Sequence, residues 1–316
     1  MRFAIFGTGG VGGYFGGRLA QAGEDVVFIA RGNNLQALQT NGLRVDSLKG
    51  DFTVLPVQAS DDPAEIGVVD VVLVGVKAWQ VPEVANAMRP LVGPDTLVVP
   101  LQNGVEAPTQ LAEVLGAEHV VGGLCGLISF VAGPGHICHV GADPFINFSE
   151  LDNHASDRVI KLHRAFARTT GITVEIPSDI QVAMWRKFLL IVSWSGIGAI
   201  TRAPLGVFLG LPQTRQMLQG VMQEVFSVAH ARGIALPEEI IGNTLDFMDS
   251  LPPTGTASMQ RDIMEGRRSE LESQTGVVVR MGQEMGVETP INAFIYHSLL
   301  PQELRAQGQI EFNNRQ

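Results

Sequence analysis

Glycines 7, 9 and 12 in the run Gly7-Thr8-Gly9-Gly10-Val11-Gly12 have the type and the spacing to hold a phosphate. The run directly follows an apolar strand and opens a helix. There the first glycine permits a tight turn, the second lets a pyrophosphate approach the backbone, and the third lets helix and strand pack closely. The pyrophosphate of a dinucleotide then sits at the helix N-terminus near Val11, where backbone N–H groups and the helix dipole favour an anion. The end of the second strand refines this reading. A carboxylate there would accept hydrogen bonds from both ribose hydroxyls of NAD, but this chain has Ala30 and Arg31. An arginine suits the dianionic 2′-phosphate of NADP, and Lys77, after the strand VVLVGV, adds a second cation on the same edge of the sheet. The competing reading of Arg31 and Lys77 is a pair of solvated surface cations. The expected cofactor is NADP(H), held by Gly7, Thr8, Gly9, Gly10, Val11, Gly12, Arg31 and Lys77.

These residues need a frame. From residue 2 to about 148, short β-branched runs alternate with helical patterns: RFAIF, a helix over 11–22, DVVFIA, VVDVVLVGV, a helix over 80–91, TLVVP, and a helix near 106–115. That is the rhythm of a parallel doubly wound sheet. HVVGGL, HICHV and FINF, between 119 and 149, predict shorter strands at the far side of that sheet. A helix over 153–170 and the strand ITVEI lead to Pro177. From Ser178 the pattern is helical, with segments near 178–200, 213–232, 237–249, 269–285 and 290–306. The expected architecture is an α/β Rossmann-type doubly wound sheet domain over 1–177, followed by an all-α C-terminal domain over 178–316. The prolines and glycine of LPPTGTAS stop a helix, Ser258 stands where it would cap the next, and Gly266 ends that short segment. Ser269 and Glu272 have capping-box spacing, which puts Glu270 in the first turn of the following helix. The tail EFNNRQ is expected to fray.

Bulk properties narrow the class. A chain of 316 residues is long for one core and comfortable for two. With 45% hydrophobic and 17% charged residues it has no apolar run of membrane-spanning length, and its N-terminus turns to glycine too soon for a secretory leader. A cytoplasmic address is expected. Cys125 and Cys138 form neither a CxxC nor a repeat, and both are expected to be small buried hydrophobes. A formal net charge of −10 repels nucleic acid, so a phosphorylated ligand must be held by a few local cations.

More specific strings recur along the whole chain: GTGGVG, VKAWQ at 76–80, LQNGVE at 101–106, WRK at 185–187, and SMQRDI with GRRSELE between 258 and 272. Together these resemble the ketopantoate reductase, or 2-dehydropantoate 2-reductase, family. The resemblance implies a two-domain enzyme whose active site lies in the cleft, where NADPH delivers hydride to the ketone carbon of a 2-oxo acid. It makes Lys187 the catalytic lysine. It makes Glu270 the acid facing that lysine and the nicotinamide end of the cofactor, Asn103 a contact to substrate and nicotinamide ribose, and Ser258 a substrate-binding serine. The chemistry is coherent, because hydride arrival leaves an alkoxide that a hydrogen-bonded cation both stabilises and protonates. From the residues alone, other readings stand beside these. Lys187 is one exposed cation of the Arg186–Lys187 pair, Glu270 a helix N-terminal acid, Asn103-Gly104 an ordinary turn, and Ser258 a helix cap.

The pattern also departs from the family. Where the family has asparagines one and two turns after the lysine and a third farther on, this chain has Ile191, Ser195 and Leu205. Lys187, Ile191 and Ser195 share a helix face, so that face becomes more apolar, with Ser195 kept as a substrate-binding candidate. A substrate hydroxyl left without a partner costs about 1–3 kcal/mol, which shifts preference toward an oxo acid with a bulkier apolar substituent. The expected function is an NADPH-dependent 2-oxo acid reductase with ketopantoate as the default small-molecule substrate. The alternatives are a reductase of another branched or aryl 2-oxo acid, and a sensor that binds NADP(H) without turnover. An opine-type or 3-hydroxyacyl dehydrogenase would need a catalytic histidine, but His119, His136, His139 and His154 fall in or beside the first domain, and His230 and His297 sit in helical patterns without a recognisable catalytic partner. No metal is assigned, since His136 and His139 point to opposite faces of a strand and no second ligand pair is evident. Broad apolar helices in the second half permit a homodimer.

Overall fold

The computed structural model describes residues 1–312, so the last four residues of the EFNNRQ tail lie outside it. The chain packs as two units, Met1–Gln102 with Glu106–Ala183, and Asn103–Val105 with the chain from Met184 onward.

The first unit is built from β1 (Arg2–Phe6), α1 (Gly10–Gln21), β2 (Asp25–Ile29), α2 (Gly32–Asn41), β3 (Leu43–Ser47), β4 (Phe52–Val54), β5 (Gln58–Ser60), α3 (Pro63–Ile66), β6 (Val71–Val74), α4 (Val81–Ala85), β7 (Leu97–Pro100), α5 (Ala107–Leu115), β8 (Gly122–Gly133), β9 (His136–Ser149), α6 (Asp157–Ala167) and β10 (Thr173–Glu175). Strands β5-β2-β1-β6-β7 form a parallel sheet in that order. Strands β2, β1, β6 and β7 are buried on both faces, which is why they read as apolar runs, while the edge strand β5, Gln58–Ser60, is exposed to half-buried and does not. Phe3 and Ile5 enter one core with Tyr14, Phe15 and Leu19 of α1, while Ala4 and Phe6 enter the other with Val84, Met88 and Leu111. The chain leaves β1 toward β2 and returns on the opposite side at β6, so the strand order reverses between β1 and β6. In such a Rossmann-like sheet that reversal opens the crevice where ligands bind.

Val120 bridges Val98 of β7 in parallel, at the far edge of the first sheet as expected, but residues 122–149 depart from expectation: they form two long antiparallel strands, β8 and β9, turned at Gly135 with φ +69°, that belong to a second sheet. One edge of β9 is taken by β8; the other pairs in parallel with β3 near its start and β10 near its end. Strand β3 in turn pairs antiparallel with β4. The segment expected as one helix over 80–91 is interrupted, with a short 3₁₀ turn at Ala78–Gln80, α4, and a second 3₁₀ stretch over Asn86–Leu91 containing Pro90. Arg18, 1% exposed, fastens α1 to the second sheet: its guanidinium donates to the Ser47 hydroxyl and to the Lys49 and Gly50 carbonyls, and lies over the Phe52 ring.

Glu150, after β9, accepts two hydrogen bonds from Arg158, at 2.7 Å each, and one at 2.6 Å from Ser156, the residue that caps α6. Burial pushes its carboxyl up, but the Arg158 and Ser156 hydrogen bonds outweigh it, and the net shift is downward. A folded-state pKa below the unfolded value stabilises the fold above the ordinary carboxylate range, and that stability disappears as the pH falls through the folded pKa. We expect the Tm of the wild type to fall more steeply below about pH 4 than that of Glu150→Gln. Parallel Tm profiles for the two proteins would refute this account.

The second unit is helical. Met184 onward contains most of α7 (Ile180–Thr201), then α8 (Leu205–Gly210), α9 (Pro212–Ala231), α10 (Ile240–Asp249), α11 (Ser258–Met264), α12 (Val277–Met285) and α13 (Pro290–Ala306). Helix α9 packs against α8, α10, α12 and α13. Its buried Glu224 accepts the backbone N–H groups of Ile291 and Asn292 at 2.8 and 2.9 Å, supplying from a neighbouring helix the acid that the start of α13 lacks. Two capping expectations change. Ser258 is the first helical residue of α11 rather than its cap, and the Ala257 N–H is met instead by the Gln260 side chain at 3.3 Å. Gly266 does end this helix, with φ +68° and the paired bonds Gly266 N–H to Ile263 and Arg267 N–H to Asp262. The Ser269–Glu272 box is not made. The Ser269 N–H and hydroxyl both donate to Glu303, while Glu272 pairs with Arg280 and Tyr296. The segment before α12 is a π-helical turn over Glu272–Gly276.

Candidate functional site

In the first unit the glycine-rich turn lies at the C-terminal ends of β1 and β6. Gly7 has φ +98°, and a Cβ there would meet Val76 at 2.7 Å; a Cβ at Gly12 would come within 2.1 Å of the Gly7 carbonyl oxygen. Both positions need glycine, one for its backbone conformation and the other for close packing. Gly9 differs, since a Cβ there meets nothing within 4 Å. Helix α1 starts at Gly10 with no side-chain cap and no acidic residue in its first turn. A turn with open space above Gly9 and an uncapped, acid-free helix start fits a pyrophosphate. Val11 lies in that first turn, half-buried. Thr8 is buried, its hydroxyl donating to the Ile29 carbonyl at 3.2 Å, which ties the turn to β2.

Arg31 is exposed immediately after β2 and Ala30, and among the described residues its guanidinium makes no ion pair. Lys77 is half-buried after β6, with its Nζ 5.6 Å from the centre of the Trp79 ring. Three further residues hold this half together and were not found from the sequence. Asn34 donates to the Thr8 carbonyl at 3.1 Å and accepts the Gly135 N–H at 2.8 Å, so one amide joins the glycine-rich turn to the β8–β9 turn. Gln102 donates to the Val74 and Val76 carbonyls at 2.8 and 2.9 Å, bracing the end of β6. Ser129 of β8 lies against the start of α1, its backbone and hydroxyl oxygens 2.8 and 2.9 Å from where a Gly10 Cβ would stand. None has a local spacing signal, because each contact joins segments far apart in sequence.

In the second unit Glu270 is 5% exposed and accepts a hydrogen bond from Gln274 at 3.3 Å. Gln274 sits on the π-helical turn, and its i,i+4 spacing from Glu270 was the available sequence signal. The loop carrying half-buried Asn103 belongs to this unit; a Cβ on Gly104, whose φ is +135°, would stand 3.1 Å from the Ser273 carbonyl. Asn103 and the turn after Glu270 are thereby neighbours. Lys187 is half-buried on α7, and Arg186 beside it is exposed. Two turns farther on, Ser195 is 1% exposed and, among the described residues, its hydroxyl has no hydrogen-bond partner, nor does the indole N–H of Trp194. Gly198 lets Gln260 approach α7 closely, since a Cβ there would stand 2.5 Å from the Gln260 amide oxygen. Ser258, half-buried, opens α11 next to this contact. Of the replaced asparagine positions, Ile191 is half-buried, whereas Leu205 is wholly buried in the core. Cys125 is buried as expected, but Cys138 is only half-buried.

Residues 3–153 match the family model described as "Ketopantoate reductase PanE/ApbA", and residues 179–303 match its C-terminal counterpart. The chain belongs to the ketopantoate reductase family. This family member is 33% identical over 303 residues to a 2-dehydropantoate 2-reductase of Nostoc sp., covering 94% of each chain. Among solved structures it resembles a PanE/ApbA family ketopantoate reductase from Ralstonia eutropha JMP134, with a TM-score of 0.88, 32% identity, and coverage of 97% and 100%. A 2-dehydropantoate 2-reductase from Geobacter metallireducens GS-15 gives a TM-score of 0.87 at 32% identity, with coverage of 96% and 99%. The likeness to D-mandelate dehydrogenase, a TM-score of 0.88 at 22% identity, is one of fold. As a ketopantoate reductase family member the chain is an oxidoreductase that uses a nicotinamide cofactor on a small molecule. Among the described residues no helix is long and apolar enough to cross a membrane.

Proposed function

We propose that the protein is an NADPH-dependent reductase of a 2-oxo acid, with Lys187 as proton donor. The observation that carries this reading is that Lys187, Glu270 and Asn103, distant in sequence, are all retained and all belong to one compact unit, with Asn103 beside the turn that follows Glu270. The reduced nicotinamide supplies the hydride when bound. Lys187 then meets the charge that develops on the substrate oxygen and gives it a proton. Glu270 holds that ammonium charged and oriented, and Gln274 fixes the carboxylate from behind. Asn103 contributes an amide to substrate and ribose, and Ser258 and Ser195 offer hydroxyls to the substrate.

Ketopantoate is the default substrate. A bulkier branched or aryl 2-oxo acid is favoured by a specific feature: Ile191 replaces an amide on the Lys187 face of α7, leaving Ser195 as the polar group there. NADPH oxidation measured against ketopantoate and a panel of such acids separates the two substrates. Cofactor binding without turnover of any acid would sink the reductase reading and leave that of a sensor.

The preference for NADPH rests on Arg31. Removing a charge-assisted bond to a phosphate costs about 1.5–3 kcal/mol, roughly a 10- to 150-fold weakening. Arg31→Ala is therefore expected to weaken NADPH binding by that factor while changing NADH binding little. Equal effects on both cofactors would rule out recognition of the 2′-phosphate by this residue.

A further inference from the structure

We propose that Asp46, His136 and Cys138 form a binding site for a divalent transition ion of borderline-soft character, with zinc as its type. The alternation of β9 sends Ile137 and His139 inward, 1% and 3% exposed, and places His136 and Cys138 together on the opposite face. His136 and His139 thus point apart, as period two demands, and the site uses a different pair. The parallel register sets Asp46 of β3 directly beside Cys138, which brings in the third group from 90 residues away along the chain. The Asp46 Oδ2 lies 2.8 Å from His136 Nε2, and Cys138 Sγ lies 4.0 Å from the same nitrogen; one ligand atom from each of the three falls within 4.8 Å of the others.

Ligands around tetrahedral zinc stand about 3.3–3.5 Å apart, given bonds near 2.0 Å to N and O and 2.3 Å to S. The cluster therefore needs only a small opening of the Asp46–His136 pair and a small approach of Cys138. Thiolate, imidazole and carboxylate are a donor set that excludes magnesium and calcium, which take oxygen. The three side chains are half-buried, so the strands fix them while a fourth position stays open to water. Two negative charges, from the thiolate and Asp46, meet the ion. Binding exchanges the thiol proton of Cys138 for the metal and releases it to the buffer, while the imidazole carries its single proton on Nδ1. Arg44 opposes the ion: it forks onto Asp46 at 2.8 and 3.1 Å, and its side chain, 63% exposed, is free to swing into solvent.

The test is cobalt binding to the chelator-treated full-length protein, followed by zinc competition. One ion per chain is expected, with a thiolate-to-cobalt charge-transfer band that Cys138→Ser abolishes. His136→Gln and Asp46→Asn should each weaken affinity by at least about tenfold. Arg44→Ala should strengthen it, a sign that general unfolding cannot produce. Circular dichroism confirms that each variant is folded, and these outward-facing positions leave the core intact. Cobalt binding without the band, a band that survives Cys138→Ser, or affinity indifferent to all four substitutions would overturn the site.

Discussion

Lys187→Ala is expected to lower kcat by roughly 10²- to 10⁴-fold while leaving NADPH affinity within about threefold. The side chain is half-buried on α7, so its loss opens no cavity in the fully buried core. On the proposed mechanism, what disappears is the group that meets the growing negative charge on the substrate oxygen. Such a loss falls on kcat and on kcat/KM together, because the interaction exists mainly in the transition state. Lys187→Arg keeps the charge but replaces a compact, transferable proton source with a guanidinium that does not deprotonate, so it should recover little of the lost rate. Stopped-flow hydride transfer and fluorescence titration of NADPH measure the two quantities separately. A kcat within about threefold of wild type would remove Lys187 from the chemistry, and a matched loss of cofactor affinity would assign it to binding.

Two glycines in the same turn should respond in opposite ways to the same added methyl. At Gly12 a Cβ would stand 2.1 Å from the Gly7 carbonyl oxygen and 3.0 Å from Ile5, and the first of these is backbone that cannot step aside. Gly12→Ala is expected to cost about 1–3 kcal/mol of stability through overpacking and to displace the turn itself, weakening NADPH binding on the order of 100-fold. At Gly9 the protein offers no obstacle within 4 Å, and the backbone there, at φ −91° and ψ −162°, suits any residue. Gly9→Ala should leave Tm unchanged within about 1 °C and still weaken NADPH by a comparable factor, because the methyl occupies the space a pyrophosphate needs. Calorimetry and cofactor titration on both variants decide the matter. Undiminished NADPH binding by Gly9→Ala would mean that the cofactor does not approach this turn.

What the sequence revealed followed the range of the interactions. Strands β1, β2, β6 and β7 of the parallel sheet were legible because they are apolar and buried on both faces, while the polar edge strand β5 was not. GTGGVG was legible because the turn, the close approach and the helix start all lie within six residues. The second sheet was not. Its strands LRVDS and FTV alternate as strands should but are too short to stand out, and β9 takes one partner from far upstream and another from downstream. Ser269 shows the same limit from another side, since its local spacing with Glu272 predicted a cap that distant Glu303 takes instead. For the candidate site, residue types at Lys187, Glu270 and Asn103 were visible through the family resemblance. Gln274 was within reach of a sequence reading through its i,i+4 spacing from Glu270, whereas Gln102 and Asn34, which brace the first unit, act through partners that only the folded chain brings near.

The π-helical turn between Glu270 and α12 carries one more residue than an α-helical turn would use, marked by the Gly276 N–H reaching back five residues to Leu271. Each residue advances a helix by about 100°. The backbone at Glu270 is therefore out of phase with α12 by about that angle, a consequence of chain length that the Gln274 hydrogen bond then holds at the carboxylate. The buried apolar stripe of α12, with Val277, Val278 and Met281, can stay locked in the bundle while the acid points along a bearing that a regular helix would deny it.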